Sequence, residues 1–248
     1  AVVAYSEADA ASLPVRLADE AICIGPAAAS RSYLHLPSVV SAALVTGCEA
    51  IHPGYGFLAE NPYLAEICEK YGLAFVGPPP RVLEEMADKT VARRLARQGG
   101  LEVLPGSDQP LRSPEEARRL AEELGYPVVL KAAFGGGGRG LRVVPNAQEL
   151  VAVYPLLQAE AQAAFGQPDL YLEKFIAPAR HIEFQVLADR YGRVVHLGER
   201  DCSLQRRSQK IIEESPAPGM DGATRHRLGQ AVTRAVASWG YTNAGTVE

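Results

Sequence analysis

Four consecutive glycines, at positions 135–138, restrict the fold of this chain more than any other feature. They lie in the segment FGGGGRG, between two apolar segments, VVLKAA and LRVV. Four glycines in a row cost conformational entropy on folding and contribute no side-chain packing. We therefore expect a glycine flap between two antiparallel strands, whose backbone N–H groups can close over phosphates. The alternative is a flexible hairpin tip without a ligand.

The same glycines fit two familiar nucleotide-binding patterns by letter but not by context. Gly135, Gly137 and Gly140 match G-x-G-x-x-G, but that pattern must open a helix, and here the apparent strand LRVV follows. A Walker loop is excluded because Leu141 stands where its lysine would be. Protein kinases place their strand lysine after the glycine loop, whereas Lys131 precedes it. We expect Lys131 to reach the phosphates under the flap; the alternative is an edge lysine that extends into solvent.

Composition excludes several classes of protein. The 248 residues are 47% hydrophobic and 22% charged, which is typical of a globular chain. The net charge of -4 does not favour a nucleic-acid partner. No apolar run reaches the roughly 18 residues of a membrane span, and the N-terminus lacks the pattern of a signal peptide. The four cysteines show no C-x-x-C spacing and are expected to be reduced thiols, so we expect a cytoplasmic protein.

Short apolar segments alternate with helical segments over the first eighty residues, which predicts an α/β domain with a largely parallel sheet. Asn61 before Pro62 marks the start of one of its helices. Three prolines at 78–80 then interrupt the chain, and we place a domain boundary near residue 82. Beyond it we expect helices at 113–124, 147–164 and 221–239. Strands are expected at 101–104, 126–133, 141–144, 171–176, 181–189, 194–201 and 244–248.

The segment 199–214 is heavily charged, with both signs interspersed. Such a segment is typical of a solvated edge strand. Mixed charges near a phosphate flap also suit an anion-and-metal site, and the residues alone leave both interpretations open. His181, at the head of the apparent strand HIEFQV, would by itself be expected to be exposed or hydrogen-bonded.

Seven segments, in this order and spacing, resemble biotin carboxylase, the ATP-grasp component of the biotin-dependent carboxylases. They are HPGYGFLAEN, MADKTVAR, LPGSDQPL, YPVVLKAAFGGGGRGLRVV, YLEKFIAPARHIEFQVLAD, ERDCSLQRRSQKIIEESPAPG and AGTVE. The resemblance implies a mixture of α/β and α+β structure. A dinucleotide-binding-like parallel-sheet domain would occupy 1–82, and an ATP-grasp fold 83–248, with a glycine-rich lid at about 103–176. It also implies that the family's first strand and helix precede Ala1 and that the ATP-grasp fold continues past Glu248, so we expect these residues alone to be inactive.

The resemblance further implies ATP-dependent carboxylation of biotin by bicarbonate through carboxyphosphate. This is the first half-reaction of carboxylases such as acetyl-CoA carboxylase of fatty acid biosynthesis. ATP, Mg²⁺ or Mn²⁺, bicarbonate and carrier-bound biotin would be its ligands. A biotin carboxyl carrier protein or domain, a carboxyltransferase component and a second copy in a homodimer would be its partners. The alternatives are a nucleotide-binding module without turnover and a different ATP-grasp ligase.

Residue roles are implied in the same way. The residues that would bind ATP are Lys89, Lys131, Gly137, Gly138, Glu173, Lys174, Phe175, Ile176, His181, Gln205, Ser208 and Glu248. The two lysines 89 and 131 would contact phosphates, and 173–176 would receive the adenine. Lys210 would be the catalytic residue that faces bicarbonate and carboxyphosphate, and Glu248 would also hold the metal. Ser208 stands where the family frequently has a histidine.

Overall fold

The computed structural model describes residues 1–54, 56, 58–135, 140–206 and 208–248. These residues separate into two units, 1–84 with 242–244 and 85–241 with 245–248. Within the described part of the chain, no helix is both long enough and apolar enough to cross a membrane. All four cysteines are free thiols.

Two pairs of parallel strands form the sheet structure of the first unit, as the alternation of strands and helices predicted. The strands are β1 (Val2–Ser6), β2 (Glu20–Gly25), β3 (Ala50–Ile51) and β4 (Ala74–Phe75). The helices are α1 (Leu13–Leu17), α2 (Leu36–Val45) and α3 (Pro62–Lys70), with single 3-10 turns at Glu7–Asp9 and Ala29–Arg31. The predicted start of α3 is confirmed, because the Asn61 side chain accepts a hydrogen bond of 3.0 Å from the Leu64 amide.

Helix α4 (Pro80–Ala87) contains the point at which the chain passes from one unit to the other, and the described residues after it form four further helices and two sheets. The helices are α5 (Lys89–Gln98), α6 (Pro114–Leu124), α7 (Ala147–Phe165) and α8 (Gly222–Ser238). The first sheet has the order β6-β5-β7, with β5 (Val128–Ala132), β6 (Leu141–Val144) and β7 (Leu170–Lys174). The second has the order β10-β9-β8-β11, with β8 (Ile182–Ala188), β9 (Val194–Arg206), β10 (Gln209–Glu214) and β11 (Asn243–Val247).

The first sheet has one apolar face and one charged face because side chains alternate along its strands. Val128, Leu130 and Leu172 belong to a buried cluster with residues of α6 and α7. Lys131 on β5 and Glu173 on β7 occupy the alternate positions, so they lie on the opposite face. This alternation places charged groups beside one another at the strand end that leads into the glycines.

One prediction of local structure is wrong, and one question that the sequence left open is answered. Residues 101–104 form no strand; the backbone hydrogen bonds to β7 come from the later residues Pro105, Ser107 and Leu111, with an isolated bridge from Gly106 to Glu173. Pro105 supplies no amide for a longer ladder. A Cβ at Gly106 would lie 2.4 Å from the Leu172 carbonyl oxygen, so this close approach to β7 requires glycine. The charged segment 199–214, left open above, is mostly strand: β9 runs to Arg206, and β10 pairs back against it.

The antiparallel pairing of β5 with β6 on either side of the glycines is confirmed. Gly136, Gly137, Gly138 and Arg139 lie outside the described residues. The glycine flap itself therefore stays a prediction.

Candidate functional site

Lys89 and Lys131 both make contacts at the end of β5. Lys89 is the first residue of α5, and its amide donates a hydrogen bond of 3.0 Å to the Ala133 carbonyl. Its ammonium group donates to the carbonyl of Gly135, the last described residue before the gap. Lys131 lies on β5, four residues before Gly135. The structure therefore brings together two of the lysines predicted to bind phosphate.

The ammonium group of Lys131 is paired with the carboxylate of Glu173, the neighbouring charged residue of β7. The Glu173 carboxylate also accepts a hydrogen bond of 3.0 Å from Arg93 on α5. Both cations lie near the ring of Tyr171, at 5.9 Å for Lys131 and 6.0 Å for Arg93 from its centroid. Burial raises the pKa of Tyr171, and the Glu173 charge raises it further. Tyr171 is therefore a neutral aromatic surface beneath two cations.

The predicted adenine segment, 173–176, follows directly from this ion pair. The Glu173 side chain points to the two cations, as described above. Lys174 donates its ammonium hydrogen bond to the Gly125 carbonyl at 2.6 Å, and its amide bonds the Pro105 carbonyl at 2.8 Å. Phe175 is half-buried, whereas the Ile176 side chain is exposed. Any adenine contact in this segment would fall to the backbone and to Ile176.

A second charged cluster lies on the four-stranded sheet. Lys210 on β10 contacts two carboxylates, that of Glu183 on β8 and that of Glu248, the latter at 2.6 Å. Glu183 is 2% exposed and is also paired with Arg200 on β9. The ring of His181 approaches the same carboxylate oxygen of Glu248, at 3.4 Å. Three positions predicted from the sequence, 181, 210 and 248, are thus neighbours.

The pKa values of the central pair favour its charged form. Burial acts to lower the pKa of Lys210, but its hydrogen bonds to Glu183 and Glu248 outweigh that effect and raise it. Burial acts to raise the pKa of Glu183, but its hydrogen bonds from Lys210 and Arg200 lower it. Lys210 is therefore a fixed cation at neutral pH, as a residue that binds an anion must be.

Donor atoms of His181, Glu183 and Glu248 lie within 4.8 Å of one another, as a metal ion would require. Magnesium takes oxygen ligands, and the Glu183 oxygens already pair with Lys210 and Arg200. Glu248 also contacts Lys210, but through one oxygen, and its side chain is 53% exposed, so it is the better donor of the two. This fits the role predicted for it.

Cys202 forms a second group of potential donors together with Glu183 and Glu213. Burial raises the pKa of the Cys202 thiol, which keeps it protonated. A protonated thiol does not suit magnesium, because that ion prefers oxygen ligands.

Two family models match most of the chain. The biotin carboxylase N-terminal domain matches residues 1–83, and the carbamoyl-phosphate synthase L chain ATP-binding domain matches residues 88–248. Biotin carboxylase 1 of Bacillus subtilis is 52% identical over the whole of this chain.

The chain belongs to the biotin carboxylase family. It spans about half the length of the curated relatives it matches. The share is 55% of the Bacillus subtilis protein and 46% of the chloroplastic biotin carboxylase of Arabidopsis thaliana, which is 51% identical over the whole of this chain.

Solved structures of the biotin carboxylase family share this fold. A beta-gamma-ATP complex of the Campylobacter jejuni enzyme matches with a TM-score of 0.95 and 49% identity, over 99% of this chain and 55% of that one. The biotin carboxylase domain dimer of Hydrogenobacter thermophilus 2-oxoglutarate carboxylase contains MgADP, ADP and bicarbonate. It matches with a TM-score of 0.93 and 47% identity, over 99% of this chain and 54% of that one. The predicted fold class, a parallel-sheet domain followed by an ATP-grasp fold, is confirmed.

Other predicted nucleotide contacts lie near the second cluster or outside the described residues. Gln205 pairs with Lys210 across the β9–β10 hairpin, and its side chain donates to the Cys202 carbonyl at 2.9 Å. Ser208 is exposed in the turn of that hairpin, with a left-handed φ of 63°. Gly137 and Gly138 fall in the undescribed stretch.

Sequence reasoning missed three residues that organise the two clusters. Arg93, Glu183 and Arg200 lie in segments that resemble biotin carboxylase, but no role was predicted for them. Each one acts on a predicted residue through an ion pair: Arg93 through Glu173, and the other two through the Lys210 cluster. Only the charged character of 199–214 pointed in this direction.

Proposed function

We propose that the protein containing this chain uses ATP and bicarbonate to carboxylate biotin on a carrier, through carboxyphosphate. Lys210, held as a cation between Glu183 and Glu248, carries this proposal. Lys210 lies in the same unit as Lys89 and Lys131. Such a set of cations suits the transfer of a phosphoryl group to a small anion.

Lys89 and Lys131 bind the phosphates of ATP in this proposal, with Gly137 and Gly138 above them. The segment 173–176 receives the adenine, and His181, Gln205 and Ser208 contact the ribose and neighbouring groups. The support is the placement of both lysines at the end of β5, where the glycines begin. Ammonium groups form charge-assisted hydrogen bonds to phosphate oxygens, which are among the strongest in proteins.

Lys210 binds bicarbonate in the proposed reaction. An oxygen of bicarbonate forms a bond to the γ-phosphorus of ATP, and the bond from that phosphorus to the β,γ-bridging oxygen breaks, giving carboxyphosphate and ADP. The carboxyl carbon then forms a bond to a ring nitrogen of biotin, its bond to the phosphate oxygen breaks, and the proton of that nitrogen passes to the released phosphate. Lys210 stabilises the negative charge on the reacting oxygens, and Glu183 fixes the position of its ammonium group.

Glu248 is the proposed ligand of Mg²⁺ or Mn²⁺. When bound, such an ion neutralises charge on the β- and γ-phosphates. A carrier protein or domain and a carboxyltransferase component are the proposed partners. A homodimer is proposed as the assembly, because a dimer is named for the Hydrogenobacter thermophilus domain. The proposed domains are 1–82 and 83–248, with the lid at about 103–176 and the cytoplasm as compartment.

Lys210→Gln in the full-length protein tests the proposal. We expect the variant to lose roughly a hundredfold or more of the bicarbonate-dependent ADP release, because one charged transition-state contact is removed. ATP binding should persist, since Lys210 faces bicarbonate. The matched control is Lys70→Gln, which removes an exposed lysine paired with Glu66 on α3. Wild-type protein that releases no ADP in response to bicarbonate and biotin, or equal rates in both variants, would contradict the proposal.

A further inference from the structure

Glu173 shares its carboxylate between two cations. One oxygen pairs with Lys131, and the other accepts from Arg93 at 3.0 Å. The side chain of Glu173 is 8% exposed, that of Arg93 12% and that of Lys131 24%. The carboxylate is therefore nearly removed from water, and its charge depends on these partners.

Lys131 cannot serve Glu173 and a phosphate equally well. If its ammonium group turns to a nucleotide, Glu173 loses one of its two cations. A buried carboxylate without any cation is strongly unfavourable, so the remaining partner decides whether this exchange is possible. That remaining partner is Arg93.

Arg93 is held independently of Lys131. Its guanidinium group also donates to the Leu104 carbonyl and lies near the Tyr171 ring. These contacts fix it in place whether or not Lys131 stays on Glu173. A guanidinium fork can hold one acceptor on each side, which an ammonium group of similar reach does less well.

We propose that Arg93 is a positioning residue that keeps the Glu173 charge compensated, so that Lys131 can pass from Glu173 to the nucleotide phosphates. Arg93 itself touches no nucleotide. This inference rests on the proposed function, because it takes Lys131 as a phosphate ligand. Arg93 affects nucleotide affinity only through the carboxylate of Glu173.

The test is a double-mutant cycle on the full-length protein, with the Kd for ATP measured by calorimetry. Arg93→Met should weaken ATP binding about tenfold or more, because Lys131 becomes the sole compensating cation of Glu173. Glu173→Gln keeps the backbone that would contact the adenine and should tighten ATP binding, because Lys131 is then released from its internal partner. The double variant should bind ATP within about threefold of Glu173→Gln alone, since the charge that needed Arg93 is gone. Arg93→Lys should restore part of the affinity.

Controls separate this proposal from the proposed function. Arg94→Met removes an exposed arginine from the same helix and should leave the Kd unchanged. Lys131→Met should weaken ATP binding; if it does not, both the phosphate role of Lys131 and the role of Arg93 are overturned. If Lys131→Met weakens binding but Arg93→Met does not, only the role of Arg93 is overturned. A double variant that binds ATP as weakly as Arg93→Met would also refute the role of Arg93. The loss of an arginine that only supports the fold could not be compensated by a substitution at Glu173.

Discussion

Two tyrosines beneath the sheet that carries Lys131 differ in a way that allows a quantitative test. Both pack in the same apolar cluster. The Tyr154 hydroxyl donates a hydrogen bond of 3.1 Å to the Leu111 carbonyl. The Tyr126 hydroxyl is also buried, and no partner for it occurs among the residues that the structure describes. Replacing each by phenylalanine removes one oxygen and keeps the ring.

The expected changes in stability have opposite signs. Tyr154→Phe removes one neutral hydrogen bond and leaves the Leu111 carbonyl in a buried position without it, which costs about 1–2 kcal/mol. Tyr126→Phe removes a buried hydroxyl that gains nothing from the fold, so it should be neutral or stabilising by up to about 1 kcal/mol. A difference of about 2 kcal/mol corresponds to roughly thirtyfold in an opening equilibrium.

Native-state hydrogen exchange on the full-length protein measures this difference locally. Peptides from β5 (Val128–Ala132) and α7 (Ala147–Phe165) report the opening of this core. They should exchange about five- to thirtyfold faster in Tyr154→Phe than in the wild type, and no faster in Tyr126→Phe. Equal acceleration in both variants would refute the reasoning, because it would mean that the two hydroxyls contribute alike.

Two further predictions concern carboxylates that accept hydrogen bonds from backbone amides close to them in the sequence. Hydrogen bonds from Ser203 and then Arg180 lower the pKa of Asp201 from 3.8 to about 2. The stabilisation that Asp201 provides is therefore complete above pH 3.8 and is lost as the pH falls through about 2. Between about pH 5 and 2, the melting temperature of Asp201→Asn should fall less steeply with pH than that of the wild type. Equal slopes would contradict this. Asp88 caps helix α5, so Asp88→Ala should lower the stability of the protein by about 1 kcal/mol. It should also raise the KM for ATP, because Lys89 is displaced. An unchanged KM would show that the cap does not affect the site.

Local signals predicted much of the fold. The Asn61–Pro62 pair predicted the start of α3, and the apolar segments around the glycines predicted the antiparallel pair β5 and β6. The segment 101–104 shows where such reasoning ends. It has apolar residues typical of a strand, but whether a strand forms depends on a partner, and the backbone contacts with β7 begin only after it, at Pro105 and Gly106.

The candidate site could be predicted only at residues that lie in a recognisable sequence motif. Lys89, Lys131 and Lys210 stand in recognisable segments, and the structure pairs Lys131 and Lys210 with carboxylates and Lys89 with the Gly135 carbonyl. Arg93 is 80 residues from Glu173 in the chain, and nothing local in the sequence relates the two. The ion pairs that complete both clusters are tertiary contacts, which spacing in the sequence does not record.

The lysines of both clusters already have carboxylate partners, and this affects how the site discriminates among anions. In the proposed function, Lys131 leaves Glu173 and Lys210 loosens from Glu248 before either accepts a ligand. Chloride or sulfate would replace a well-placed carboxylate with a poorer contact, whereas a polyphosphate brings several oxygens and an attached nucleoside. Because one ion pair is exchanged for another, few counterions are released on binding, and affinity should depend only weakly on ionic strength. Glu173 and Glu248 thus compete with the ligand for the two lysines, and salt ions do not displace these carboxylates.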